Sequence, residues 1–292
     1  MTAQPQHEVP LVPGAEGRGF TYFIRRHPVP AYYALTFVIS WGLMGAVVGV
    51  APVPMAVALS LGPLGPTAAS IVLTSFLDGK AGLRELGARL RRWRVGARWY
   101  ALALLTAPLV MVSTAAAVAV VFPGFYGGVS TAGELVIVVL AGIAVGLIVG
   151  MLEELGWTGF ALPRLRRRHG VVSTALIMAV LWGAWHYPMF ANSTDPSGAI
   201  PAALIVAVFL FAWLPAYRVL MVWLYDRTES LLLAVLMHAP LAAGAFINSF
   251  IASSGNSSGI AILVPPLSWG AAFWVIAAVV LLTERRHRRE PT

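Results

Sequence analysis

Long apolar runs with almost no charge inside them make up most of this chain. Its basic residues are confined to the stretches between alternate runs. A bilayer span needs about 20 mostly apolar residues. Eight runs meet that measure, at residues 31–50, 54–76, 99–121, 134–158, 172–190, 201–225, 231–252 and 260–282. Only 11% of the residues are charged, against roughly 25% in a soluble domain. The pattern predicts an all-α, polytopic membrane protein of about eight transmembrane helices. The second run contains Gly62, Pro63, Gly65 and Pro66 and is expected to be kinked or broken.

Charge sets the expected topology. With the N-terminus inside, the cytoplasmic segments are 1–30, 77–98, 159–171, 226–230 and 283–292, and they hold 19 of the 20 Lys and Arg residues. The opposite loops hold none. By the positive-inside rule both termini are cytoplasmic, and the chain is a multi-pass protein of the cell membrane. The remaining cation, Arg218, reads as lying near the cytoplasmic end of the sixth run, where a long side chain can snorkel. The net charge of +8 is therefore a mark of topology, and nucleic acid is not an expected partner. Membrane lipids are. In the segment 77–98, Leu83, Leu86, Leu90 and Trp93 recur at helical spacing among arginines, as in an interfacial helix on anionic lipid.

Four regions follow. Residues 1–30 are polar, rich in Pro and Gly, and expected to be a disordered cytoplasmic N-terminus without a signal peptide. Residues 31–133 form the N-terminal membrane helices, with the basic loop 77–98. Residues 134–252 form a core, and 253–292 the last helix and a basic tail. The chain has no cysteine, which excludes disulfides and thiolate metal sites. A single lysine, Lys80, against 19 arginines suggests a GC-rich bacterial genome. No internal repeat is evident, which argues against an inverted-repeat transporter.

The polar residues inside the apolar runs carry the functional reading. Glu153 and Glu154 are adjacent in the fourth run, His186 ends the fifth, and His238 lies in the seventh. A carboxylate at the bilayer centre costs roughly 2.5–3.5 kcal/mol. Two together call for a function or a fixed polar network. They lie about 100° apart around a helix, so one faces a site and the other pairs elsewhere. Hydrogen bonding of one glutamate to Trp157, Thr158 or a neighbouring helix is the structural alternative. By helical rise, Glu153, His186 and His238 lie at depths of about 15, about 22 and about 12 Å. Tilt, or breaks at Pro188 and Pro240, must close that spread. Asp226, Arg227 and Glu229 read as solvated loop charges, and Asn248 as a helix-to-helix hydrogen-bonding residue.

A carboxylate in a dry pocket is a general base, and a neighbouring imidazole orients water or relays a proton. A second imidazole stabilises an oxyanion. Glu153, His186 and His238 would then carry out water attack on an amide. The same three side chains also make a catalytic zinc set with an open position. The residues leave both open. HEXXH is absent.

The stretches EELGWTGFALPRL, LWGAWHYPMF and LMHAPL resemble the CPBP intramembrane proteases, named for CAAX processing and bacteriocin processing and also called the Abi family. The resemblance covers residues 134–250, the fourth to seventh runs. It implies an eight-span helical core with a catalytic cavity open toward the cytoplasm. The family's first motif is a Glu pair and then, after three residues, Arg. Glu153 and Glu154 match it, while Thr158 stands at the Arg position. The second is an aromatic, three residues, then His. Trp182 and His186 match, with Trp for the usual Phe. The third is His, three residues, then Asn or Asp. His238 matches, and Ala242 occupies the polar position. By this resemblance Glu153 activates water with help from His186, His238 contributes to the oxyanion site, and Glu154 supports, with Trp182 and Thr158 beside them. It favours a metal-free glutamate mechanism, with zinc as the alternative. The implied partner is a peptide or protein substrate, lipidated or not. The rival readings are a weak or silent member of the fold acting as a scaffold or immunity protein, and a proton-coupled transporter using the Glu/His cluster as a relay.

Overall fold

A computed structural model describes residues 15–50, 55–127, 131–191, 193–253 and 259–287. Residues 1–14 and the end of the basic tail, 288–292, lie outside the described residues. Every regular element among them is helical. In chain order these are α1 (Ala15–Arg26), α2 (Pro28–Val50), α3 (Met55–Ser60), α4 (Leu64–Leu90), α5 (Ala97–Val121) and α6 (Ala132–Gly156). A π-turn, Trp157–Ala161, leads into α7 (Leu162–Arg166), α8 (Val171–Trp185) and the single turn α9 (Tyr187–Phe190). Then come α10 (Ala202–Phe211), α11 (Leu214–Thr228), α12 (Leu231–Ser253), a 3₁₀ segment (Gly259–Leu263) and α13 (Val264–His287).

Six helical runs among the described residues are long and apolar enough to cross a membrane. They are Pro28–Val50, Ala97–Val121, Ala132–Arg166, Ala202–Thr228, Leu231–Ala252 and Gly259–Glu284. The other two expected runs are helical but shorter or divided. Run 54–76 is split between α3 and α4 at the Gly62-Pro63 break, where Ser40 Oγ donates to the Gly62 carbonyl at 2.8 Å. Run 172–190 becomes the 15-residue α8 and then α9. Fifteen residues rise about 22 Å, short of a full hydrocarbon core.

The N-terminal region departs from its expected disorder. Ala15–Arg26 form a helix, with Tyr22 accepting from Arg26 at 3.0 Å and the ring of Phe23 5.0 Å from that of His27. Local pairs four residues apart supply this order, and polar composition alone does not reveal them. In the basic loop the helix continues from α4 to Leu90 after a break at Gly79, whose φ of 62° suits glycine. Leu86 packs on Leu231 and Ala234 rather than on lipid.

One close approach places the core. Gly142, Gly146 and Gly150 recur every four residues on α6 and face α12. A Cβ on Gly146 would lie 2.2 Å from the Ala239 carbonyl oxygen, and one on Gly150 would lie 2.9 Å from that of Val235. Glycine lets the two backbones nearly touch, as small residues do between membrane helices. Glu154 is the next residue on this four-residue stripe, so it faces α12. Glu153 points about 100° away. On the other side of α6, Thr67 and Ser70 of α4 donate to the carbonyls of Leu152 and Leu155, the latter at 2.9 Å. These bonds bracket the glutamates.

The π-turn follows at once. The Leu162 N–H bonds to the Trp157 carbonyl, five residues back. Such a turn leaves neighbouring carbonyls short of partners. Arg89 donates to the Gly159 carbonyl and Arg164 to that of Phe160, each at 3.0 Å. The helix ends near it are tied by ion pairs: Asp78–Arg164, Arg166–Asp226, Arg92–Glu229 and Arg227–Glu284. Exposed pairs add about 0–1 kcal/mol each, so they set register more than stability. Asp226, Arg227 and Glu229 are thus exposed, as expected, yet paired.

Candidate active site

The two glutamates divide their partners. Glu153, 1% exposed, accepts at Oε2 from two indoles, Trp157 Nε1 at 3.0 Å and Trp182 Nε1 at 2.8 Å. Glu154, fully buried, lies 2.8 Å from His238 Nδ1 through Oε1 and also accepts from the Thr158 hydroxyl. Arg218 completes its set. The guanidinium Nη1 is 3.2 Å from both oxygens of Glu154, and Nη2 is 3.2 Å from Oε1.

Arg218 corrects the sequence expectation. It does not snorkel to a surface. Its side chain is fully buried, and its Cζ lies 4.2 Å above the ring of Trp182. The reason is the position of α11, which packs against α8, α12 and α13 and is buried on nearly every face. An arginine there has no aqueous route and needs a counter-charge inside. Glu154 supplies it. The sequence signal was an arginine in the apolar stretch LPAYRVLMVW, facing a carboxylate pair with one member unassigned.

Helix α12 brings His238 in. It is 2% exposed, and its Nε2 is 3.9 Å from Glu153 Oε2. That is too long for a hydrogen bond. The imidazole therefore bonds one glutamate and only faces the other. His186 caps α8, which stops at Trp185 just before Pro188. It is half-buried, with Nδ1 2.8 Å from the Trp182 carbonyl. A carbonyl only accepts, so Nδ1 carries the hydrogen.

Trp182 connects these groups. Its ring centroid is 5.2 Å from that of His238 and 5.5 Å from that of His186. The indole thus stands beside both imidazoles while its N–H holds Glu153. Further aromatic layers close the site. Tyr33 stacks on Trp157 at 5.4 Å, and Trp185 meets the His186 ring at 4.8 Å. The structure therefore gathers Glu153, Glu154, Thr158, Trp182, His186 and His238 around one cluster, and adds Arg218. Ala242 contributes no polar group.

Among the described residues, no three His, Asp or Glu side chains come together closely enough to hold a metal ion.

Two grooves lie near the cluster. One of about 600 Å³ is lined by Arg26, His27, Arg167, Arg168 and His169 with the apolar Ile177 and Leu181, and Tyr33 forms part of its wall. Another, of about 630 Å³, runs past the end of α8 between Trp41, Tyr187 and Leu210.

Comparison with known proteins agrees with the motifs. Residues 135–244 match the family described as Type II CAAX prenyl endopeptidase Rce1-like. The core of this chain is similar to that family. The matched segment begins in α6, ends in α12 and contains every residue of the cluster. A protein named CAAX prenyl protease 2, from Methanococcus maripaludis, is 23% identical over 94 residues, or 32% of this chain. The chain spans about a third of that relative's length, 35%.

Proposed function

We propose that this protein is an intramembrane endopeptidase that hydrolyses a peptide bond near the cytoplasmic membrane face. The observation that carries the proposal is a buried carboxylate, Glu153, held by two indole donors and faced by His238 Nε2 at 3.9 Å. A base kept dry and oriented in this way is suited to taking a proton from water. The Rce1-like core supports the same chemistry.

Glu153 takes one proton from a water molecule, and the hydroxide oxygen attacks the carbonyl carbon. The carbonyl π electrons move to oxygen. His186, with Nδ1–H fixed on the Trp182 carbonyl, presents Nε2 to the water. His238 presents Nε2 to the reacting oxygen from the opposite helix. When the tetrahedral intermediate collapses, the C–N bond breaks and the proton on Glu153 passes to the leaving amine. Glu154 and Trp182 support these groups, and no step passes through a metal.

The substrate is a peptide or protein with an apolar or lipidated segment. The groove past Trp41 and Tyr187 suits such a chain arriving from lipid, and the arginine-lined groove suits its polar end. The test is cleavage of a panel of lipidated and unlipidated apolar peptides by purified protein. Cleavage near the apolar segment is the expected result. Failure across the panel would favour the silent-scaffold reading, which the absent donor at Ala242 supports.

A further inference from the structure

We infer that Arg218 is a positioning residue that decides which ring nitrogen of His238 carries its proton. Three groups converge on Glu154: the Thr158 hydroxyl, the Arg218 guanidinium and His238 Nδ1, the last at 2.8 Å. The bond between Glu154 and His238 has two possible senses. An ionised Glu154 accepts from Nδ1–H. A protonated Glu154 would donate to a bare Nδ1. Arg218 selects the first. It is fully buried beside Glu154, and neutralising the carboxyl would leave a guanidinium in the core without a counter-charge.

The consequence lies at the other nitrogen. With Nδ1–H tied to Glu154, Nε2 is the atom turned toward Glu153 at 3.9 Å. A neutral His238 then offers Nε2 as an acceptor, and only its imidazolium form donates to an oxyanion there. His186 is held in the same sense by the Trp182 carbonyl at 2.8 Å. His186 is thus also bare at Nε2 when neutral.

This also accounts for Thr158. The chain has threonine where the resembling proteases have arginine, four residues after Glu154. The hydroxyl of Thr158 and the guanidinium of Arg218 meet the same Glu154 oxygen, Oε2. In this chain the cation at Glu154 comes from α11.

That His238 takes part in a reaction rests on the peptidase reading. The position of its proton does not. The experiment uses full-length protein labelled with ¹⁵N-histidine, whose spectrum separates protonated from bare ring nitrogens. The chain has six histidines, and His238→Gln identifies the relevant signal. Wild type should show a protonated Nδ1 on His238 at neutral pH. Arg218→Met should redistribute that proton, with a tautomer protonated at Nε2 appearing. Arg218→Lys should keep the wild-type pattern, and Arg218→Thr combined with Thr158→Arg should restore it. A bare Nδ1 in wild type overturns the inference, and so does an unchanged pattern in Arg218→Met. If Arg218→Met does not fold, the wild-type spectrum and the double swap still decide. No arm depends on cleavage, so an inactive protein would count against the proposed function alone.

Discussion

Trp182 donates its indole N–H to Glu153 at 2.8 Å while its ring lies beside both imidazoles and beneath Arg218. One side chain thus holds Glu153 and packs against the cationic and imidazole groups. Trp182→Phe keeps the aromatic layer and removes the donor. A hydrogen bond to a charged group contributes about 1.5–3 kcal/mol. The catalytic rate of Trp182→Phe should fall by about one to two orders of magnitude, with KM little changed. Steady-state kinetics on a cleaved peptide would check this, and a loss confined to KM would count against the orienting role.

The glycine stripe makes a stability prediction. Gly146→Val forces bulk against the Ala239 backbone, where a Cβ alone would come within 2.2 Å. The cost should be roughly 1–3 kcal/mol or more, because helix backbone cannot swing aside. Gly45→Ala, on α2 with open space around it, should leave stability unchanged or slightly raised. Thermal unfolding in detergent compares the two. Equal effects would contradict the packing account.

Asp195 predicts a pH dependence outside the helices. Its carboxylate accepts from Ser197 Oγ at 2.6 Å, and from the backbone N–H groups of Ser197, Ala199, Ile200 and Gly259. The Ser197 hydroxyl first, then these backbone bonds, hold the carboxyl well below its usual range. The folded value lies below the unfolded one of about 3.9. The contribution to stability is therefore complete above that value and lost as pH falls below it. The protection factors of the Ser197, Ala199 and Ile200 amides should fall below about pH 4, and in Asp195→Asn they should be low already at neutral pH. A protection factor that does not change with pH would contradict the role.

The metal-free mechanism predicts that chelation leaves cleavage unchanged. Peptide hydrolysis would be compared before and after treatment with a strong chelator. Loss of activity that zinc restores would reverse that choice.

Much of this arrangement was legible in the sequence. Helical rotation separates Glu153 from Glu154, and the structure gives them different partners for that reason. Glu153, His186 and His238 meet around Trp182 although α12 stays helical through Pro240, so the expected break there is absent. The π-turn follows the glutamates, α8 stops before Pro188, and α12 meets α6 along the glycines. Arg218 was misread because its place in the chain is near a basic loop, while its burial is set by how α11 packs. Position along a span says nothing of which face is enclosed. The same limit hid α1, whose order comes from side-chain pairs within a polar segment. The spacing Gly142, Gly146, Gly150 was in plain view and would have placed Glu154 against α12.

The central claim is that Glu153 activates the water that cuts the peptide. The most direct measurement is single-turnover cleavage of a responsive peptide by wild type and Glu153→Gln, at matched folding and substrate occupancy. Glutamine keeps the size and can still accept from Trp157 and Trp182, but it cannot take a proton. The account predicts a rate loss of about 10²–10⁴-fold with binding preserved. Cleavage by Glu153→Gln at the wild-type rate would contradict it.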